Sequence, residues 1–367
     1  GGVLLLHGMS DSAYSLRALG QGLNQHRFWV IGLRLPGHGT APSGLLSIHW
    51  EDMAAAVRLG MAHLAAKLGD KPIHIIGYST GASLALDFAL DALDGRSAPV
   101  PASLVLISPA LGLPPAAALA KWKRRLAVLP GLGSLAWLVI EPEFDPYKYN
   151  SFTTNAGEQV HRLTHSVARR VAQRARSHPE SVLPPTLVFK SNADATVSTD
   201  AVVDRLLGRL DPHHHELVLF DINHYAAKSV LLISDPQALT TRLMGDDRLP
   251  FAVTLVTNAD PESAAVVARR QAPFSREASP DTPLGLTWPA GVISLSHVAL
   301  PFPPDDPLYG QRPPDNEDLL FLGQMAIQGE RGLLTLSSDW LLRLRHDPFY
   351  AYLEERVLAW LAEAGEH

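Results

Sequence analysis

The chain of 367 residues contains no cysteine, which excludes disulfides, thiolate metal sites and a cysteine nucleophile. Positive charge is not in excess: 31 Lys and Arg against 37 Asp and Glu leave a formal net charge of −6, so no basic field points to nucleic acid. Long apolar runs are missing too. Stretches such as GSLAWLVI (133–140) are too short and too interrupted by glycine to span a bilayer. No P-loop or Rossmann glycine pattern occurs, since GLGS (131–134) follows Pro130 with no strand leading into it, and no cofactor is expected. The first residues, GGVLLLHG, have neither a methionine nor a charged leader and begin directly on a buried-strand pattern. From that abruptness we expect the natural protein to extend N-terminally, with any targeting or membrane segment in that part.

What is present is 46% hydrophobic and 19% charged, a globular composition with length enough for a large core. VLLLHG (3–8), FWVIGLRLPGHG (28–39), PIHIIGYS (72–79) and ASLVLISPA (102–110) read as strands. Between them SLRALGQGLNQ (15–25), WEDMAAAVRLGMAHLAAKLG (50–69) and GASLALDFALDAL (81–93) read as helices. Short Leu- and Ile-rich runs alternating with helices predict an α/β fold, a mostly parallel sheet covered on both faces. The rhythm breaks over 111–184, which reads as a helical insertion placed where open α/β sheets bind ligands. It resumes with a strand in PTLVFKSNADATVS (185–198) and a helix at 200–210. Further strands are expected at 215–224, 251–258 and 291–302, with a polar loop at 270–285 and a proline-rich irregular run at 301–318. An amphipathic helix at 347–365 closes the chain. The predicted division is therefore a first part of the core (1–110), a helical cap (111–184) and a second part (185–367) with an excursion at about 211–290.

Ser79 stands between Gly77 and Gly81 in HIIGYSTGASLA, after an apolar strand and before a helix. This is the context of a nucleophile elbow, whose tight turn forces unusual backbone angles at the serine and relies on small flanking residues. A chance match in a Gly/Ser turn would lack the strand and the helix. The strand-end turn HGMSDS (7–12) suits the second part of an oxyanion hole: the Met9 and Thr80 amides are the candidate donors. His7, at the strand end itself, reads as a brace for this turn rather than as a base.

Four motifs in this order, HGMSDS, RLPGHGTAP (34–42), GYSTG (77–81) and SNADATVS (191–198), resemble the α/β-hydrolase superfamily. The GHGTAP loop, with WEDM soon after, is most similar to its carboxylesterase, monoacylglycerol lipase and lysophospholipase branch. The resemblance covers 1–110 and 185–210 well and the remainder thinly, and it implies that the chain starts at the family's third strand, so that the N-terminal strands are missing. It implies a serine esterase with a catalytic triad, places the triad acid at Asp194, and puts the base between the last strand and the terminal helix. Of 16 histidines, two follow strands beyond Asp194. His297, in VISLSHVALPF, is preferred, and His224, in LVLFDINHYA, is the alternative base. The same triad would also serve a thioesterase, acyltransferase or serine peptidase, and the scaffold alone would serve a non-catalytic binding protein.

The remaining features have plainer readings. HHH (213–215) reads as a solvated turn, and His161, His165 and His178 belong to the insertion or its end. Trp122, Trp137, Phe144, Tyr147 and Tyr149 either line an acyl pocket or form the insertion's own core. The basic cluster KWKRR (121–125) reads as a solvated helix face in preference to a peripheral membrane contact. Asp305 and Asp306 read as turn caps, not as a metal pair, and no metal is expected. The partner expected is a small-molecule or lipid-like ester.

Overall fold

The computed structural model describes residues 1–111, 133–194, 196–212, 214–226, 237–314, 321–323 and 343–365. Trp122, the cluster 121–125 and His213 therefore lie outside the described residues. The apolar runs of the first hundred residues become β1 (Gly2–Leu6), β2 (Trp29–Leu33), β3 (Ile73–Tyr78) and β4 (Ser103–Ile107). β1, β3 and β4 are buried at every position. That is what a continuous apolar run without alternation requires: both faces must be covered.

The chain divides into two units. The first comprises Gly1–Leu104 and Pro109–Arg170, with strands in the order β3-β1-β2, and the unit boundary falls within β4 after Leu104. β1 pairs in parallel with β2 on one side and β3 on the other, so the apolar opening run has neighbours on both edges. The helices α1 (Arg17–Gln25), α2 (Trp50–Leu68) and α3 (Thr80–Leu93) connect these strands. Helix α3 is buried on every face from Thr80 to Leu90, which explains its run of small residues. Its buried Asp87 accepts from Arg170 at 2.7 Å, and the same guanidinium donates to Asp91 at 2.7 Å. Arg170 belongs to the helix Thr154–Ser177, which follows a small antiparallel pair, β5 (Trp137–Val139) and β6 (Phe152–Thr153).

The second unit comprises Val105–Ser108, Val171–Gln324 and Arg343–His367. Its strands are β7 (Thr186–Ser191), β8 (His215–Phe220), β9 (Ala252–Asn258), β10 (Ala265–Gln271) and β11 (Thr282–Thr287), in the order β11-β10-β9-β8-β7. β7, β8 and β9 run parallel, whereas β10 and β11 fold back antiparallel. The stretch 211–290 thus contributes four strands to one sheet.

Two local expectations are corrected here. Part of the expected polar loop at 270–285 is strand: β10 ends at Gln271 and β11 begins at Thr282. β11 is largely exposed, so no apolar run marks it. The expected strand at 291–302 is instead a chain of turns and irregular backbone. Pro289, Pro303 and Pro304 bracket it, Pro301 lies near its end, and each withholds a ladder donor. Its hydrogen bonds go elsewhere: Asn223 N–H donates to Ile293 O (2.7 Å), Ser191 Oγ to Leu295 O (2.8 Å) and Ser296 Oγ to Leu344 O (2.6 Å). The terminal helix runs Tyr350–Gly365.

Candidate active site

Ser79 sits between the end of β3 and the first residue of α3, with φ 53° and ψ −115°. A positive φ at a residue with a Cβ is strained, and it persists only where the surroundings enforce it. The flanking glycines explain how. A Cβ on Gly81 would lie 2.1 Å from Leu6 O, and one on Gly77 would lie 2.5 Å from the Ala82 backbone. Strand end, turn and helix start approach too closely for any side chain at either position. The Ser79 carbonyl accepts from Ala82 N and Ala110 N, each at 3.1 Å, which fixes the turn from both sides.

The turn 7–12 lies against this serine. A Cβ on Gly8 would meet the Ser79 Cβ at 3.2 Å, so only glycine admits so close an approach of the turn to Ser79. Two buried histidines hold the turn. His7 Nδ1 donates to Gly8 O (2.8 Å), and its Nε2 accepts from Leu35 N (3.1 Å). His38 Nδ1 donates to Pro36 O (2.9 Å), and its Nε2 accepts from Ser10 N (3.2 Å). Accepting at Nε2 requires the neutral ring. Burial, with His38 alongside, pushes His7 down to about 3, and burial lowers His38 as well. His7 is a brace, as its position at the strand end suggested. His38 is a second brace that pattern reading missed, although it stands in the PGHG loop that drew attention for other reasons.

In the second unit, Asp194 and His297 meet: His297 Nδ1 lies 2.9 Å from Asp194 Oδ2. Asp194 is held by its own loop, where Oδ1 accepts from Thr196 N (2.8 Å) and Val197 N (3.0 Å). A third side chain joins them. Lys190, wholly buried on β7, places its ammonium on the same Oδ2. Burial alone would raise the Asp194 carboxyl, but the His297 hydrogen bond and charge, together with Lys190, hold it well below the usual carboxylate range. Sequence reading missed Lys190. The available signal was a charge inside the otherwise apolar strand TLVFKS.

His224 is engaged elsewhere. Its Nε2 lies 2.8 Å from Asp221 Oδ2, a carboxylate that also accepts from Thr257 Oγ1 (3.0 Å) and Asn192 Nδ2 (3.0 Å). The hydrogen bond to Asp221 raises the His224 pKa. The structure thus couples His297, and not His224, to Asp194. Asp306 Oδ1 accepts from Leu308 N and Tyr309 N, each at 2.9 Å, as a turn cap does. Among the described residues, no group of three or more His, Asp or Glu could hold a metal ion, and no helix is long and apolar enough to cross a membrane.

Of the aromatic residues of 137–149, Tyr147 and Tyr149 pack on the first unit's N-terminal loops. Tyr147 stacks on Tyr14 with ring centroids 3.8 Å apart, and Tyr149 Oη accepts from Thr40 N at 2.9 Å. Ser12, Tyr14, Tyr147, Tyr149, Arg17 and Arg34 help line a cavity of about 790 Å³.

Many solved structures are similar to the chain, and three serve as examples. One comes from work on LipS and LipT, two metagenome-derived lipolytic enzymes, with 22% identity over 59% of this chain and 82% of that one (TM-score 0.47). A monoacylglycerol lipase from Paleococcus ferrophilus shows 21% identity over 60% and 84% (TM-score 0.46). A carboxyl esterase from Bacillus coagulans shows 15% over 60% and 81% (TM-score 0.45). No curated protein matches the chain. The profile of the hydrolase family described as serine aminopeptidase, S33, matches residues 1–222. That span takes in the strained turn at Ser79 and the loop of Asp194, and ends before both His224 and His297. Covering more than half of its length, the match makes the chain a member of the S33 serine aminopeptidase family, within the α/β-hydrolases.

Proposed function

We propose that the chain is a serine hydrolase that cleaves carboxylic esters through an acyl-enzyme, with Ser79 as nucleophile, His297 as base and Asp194 as the acid that orients it. The observation that carries this reading is the Asp194–His297 hydrogen bond at Nδ1. It fixes the tautomer whose Nε2 carries the lone pair that a serine hydroxyl needs. The strained elbow at Ser79 supports it from the other side. In the reaction, Ser79 Oγ attacks the ester carbonyl as its proton passes to His297 Nε2. The amides of Met9 and Thr80 donate to the oxyanion, at the N-terminus of a helix whose dipole favours the same charge. Collapse expels the alcohol, which takes the proton back from His297. Water, deprotonated by the same histidine, then releases the acid.

The proposal extends to an apolar acyl or lipid-like ester as substrate, with 111–184 as a cap. A second reading, peptide hydrolysis by the same triad, is favoured by the family's description as serine aminopeptidases. Steady-state assays with p-nitrophenyl acyl esters of rising chain length and with aminoacyl p-nitroanilides separate the two. Turnover of the esters alone supports esterase chemistry, and turnover of the anilides alone replaces it with the peptidase reading. Ser79→Ala should lower the active class by about 10⁴-fold or more. Absence of Ser79 labelling by a fluorophosphonate in the folded protein would leave only a non-catalytic binding role.

A further inference from the structure

We propose that Lys190 is a positioning residue of the acid–base pair: a buried cation on Asp194 that offsets the acid's charge and thereby lets His297 remain an unprotonated base at lower pH. The inference rests on the triad reading above and extends it to a residue outside the triad.

Lys190 lies near the end of β7, a strand buried at all six positions. A lysine there gives up its hydration, and a buried ion pair rarely returns more than a well-packed apolar side chain of similar volume would. Stability therefore does not account for it. Its placement does suggest a task. The ammonium bonds Asp194 Oδ2, the oxygen that also takes His297 Nδ1, while Oδ1 is filled by the amides of Thr196 and Val197. Each carboxylate oxygen thus has two donors, which fixes the plane of the acid and with it the ring of His297.

The charge has a separate consequence. An isolated carboxylate beside a histidine stabilises the imidazolium and raises the pKa of the base. Here the carboxylate already carries a counter-charge, so His297 faces a formally neutral pair. Among the described residues, the charged groups acting on Asp194 are His297, from 291–302, and Lys190, from β7. On neighbouring β8, the carboxylate of Asp221 is taken up by Asn192, Thr257 and His224. From the segment before the terminal helix, Asp347 N–H bonds Phe302 O, and His346 precedes it. The Asp347 carboxyl accepts from Phe349 N through Oδ1 at 2.8 Å.

The test is the pH dependence of the rate at which a fluorophosphonate labels Ser79 in the full chain, which needs no knowledge of the substrate. Lys190→Met removes charge and hydrogen bond; Lys190→Gln removes the charge but keeps a donor. Both should move the acidic limb of the profile upward by about one pH unit or more, the size expected of a unit charge within a few ångströms at partial burial. Lys190→Gln should retain more of the plateau rate than Lys190→Met. Asp347→Asn is the control and should leave the limb where it is. A limb that stays in place in both Lys190 variants overturns the proposal. So does failure of both variants to fold, which would make Lys190 a strut of the core. The triad reading fails separately, if His297→Ala labels at the wild-type rate.

Discussion

Gly81 illustrates how much one hydrogen atom in place of a methyl group can decide. Its absent Cβ would sit 2.1 Å from a backbone carbonyl that cannot step aside without moving β1. Gly81→Ala is therefore expected to destabilise the fold by about 3 kcal/mol, within the range of overpacked, strained sites, and urea unfolding would measure it. A loss below about 0.5 kcal/mol, the usual size of a neutral surface change, would contradict the packing argument. Asp347 carries a different residue-scale expectation. Wholly buried, its carboxyl is pushed up to about 8 by desolvation. The folded chain then keeps a proton that the unfolded chain releases near pH 4. A raised acid pKa means that stability declines as pH climbs from about 4 to about 8 and then levels off. Four pH units correspond to at most about 5 kcal/mol. Asp347→Asn should thus raise the melting temperature far more at about pH 8.5 than at about pH 5, and an equal gain at both would sink the idea. Gly81 was readable from its pattern, whereas Asp347 was not, because nothing in HDPFYAY distinguishes a buried aspartate from a helix cap.

At the scale of elements, legibility followed apolar periodicity. β1, β3 and β4 are continuous buried runs, and the sequence marks them plainly. β11 escaped because its residues are mostly exposed, and 291–302 was misread because an apolar run can be buried as a loop when side chains and carbonyls replace the ladder. That loop carries His297, so its identity as non-strand matters: its conformation depends on single bonds such as that from Ser191 Oγ to Leu295 O. The helix Thr154–Ser177 offers an independent test. Arg170 answers two aspartates of α3, Asp87 and Asp91, and burial already raises Asp87 to about 6 against the pull of Arg170. Arg170→Met should cost about 3 kcal/mol, because it strands a buried carboxylate rather than merely deleting a contact. Denaturant unfolding of this variant, with Asp87→Asn/Arg170→Met recovering part of the loss, checks the assignment. No recovery in the double variant would refute it.

For the molecule as a whole, the spacing along the chain is the distinguishing feature. The turn at Ser79 and the loop of Asp194 fall inside the family match, and His297 lies far beyond it, after β8, β9, β10 and β11. Sequence reading could place Ser79 by its turn and Asp194 by resemblance. It prefers His297 for its place before the terminal helix but keeps His224 as the alternative, because both follow apolar runs and only three-dimensional pairing separates them. His224 belongs with Asp221, Thr257 and Asn192; His297 belongs with Asp194 and Lys190. The most direct test of the account is the rate of fluorophosphonate labelling at Ser79, measured side by side in His297→Ala and His224→Ala. The expected result is a fall of about 10³-fold or more in His297→Ala with His224→Ala near wild type. Wild-type labelling in His297→Ala, with the loss appearing in His224→Ala, would contradict it.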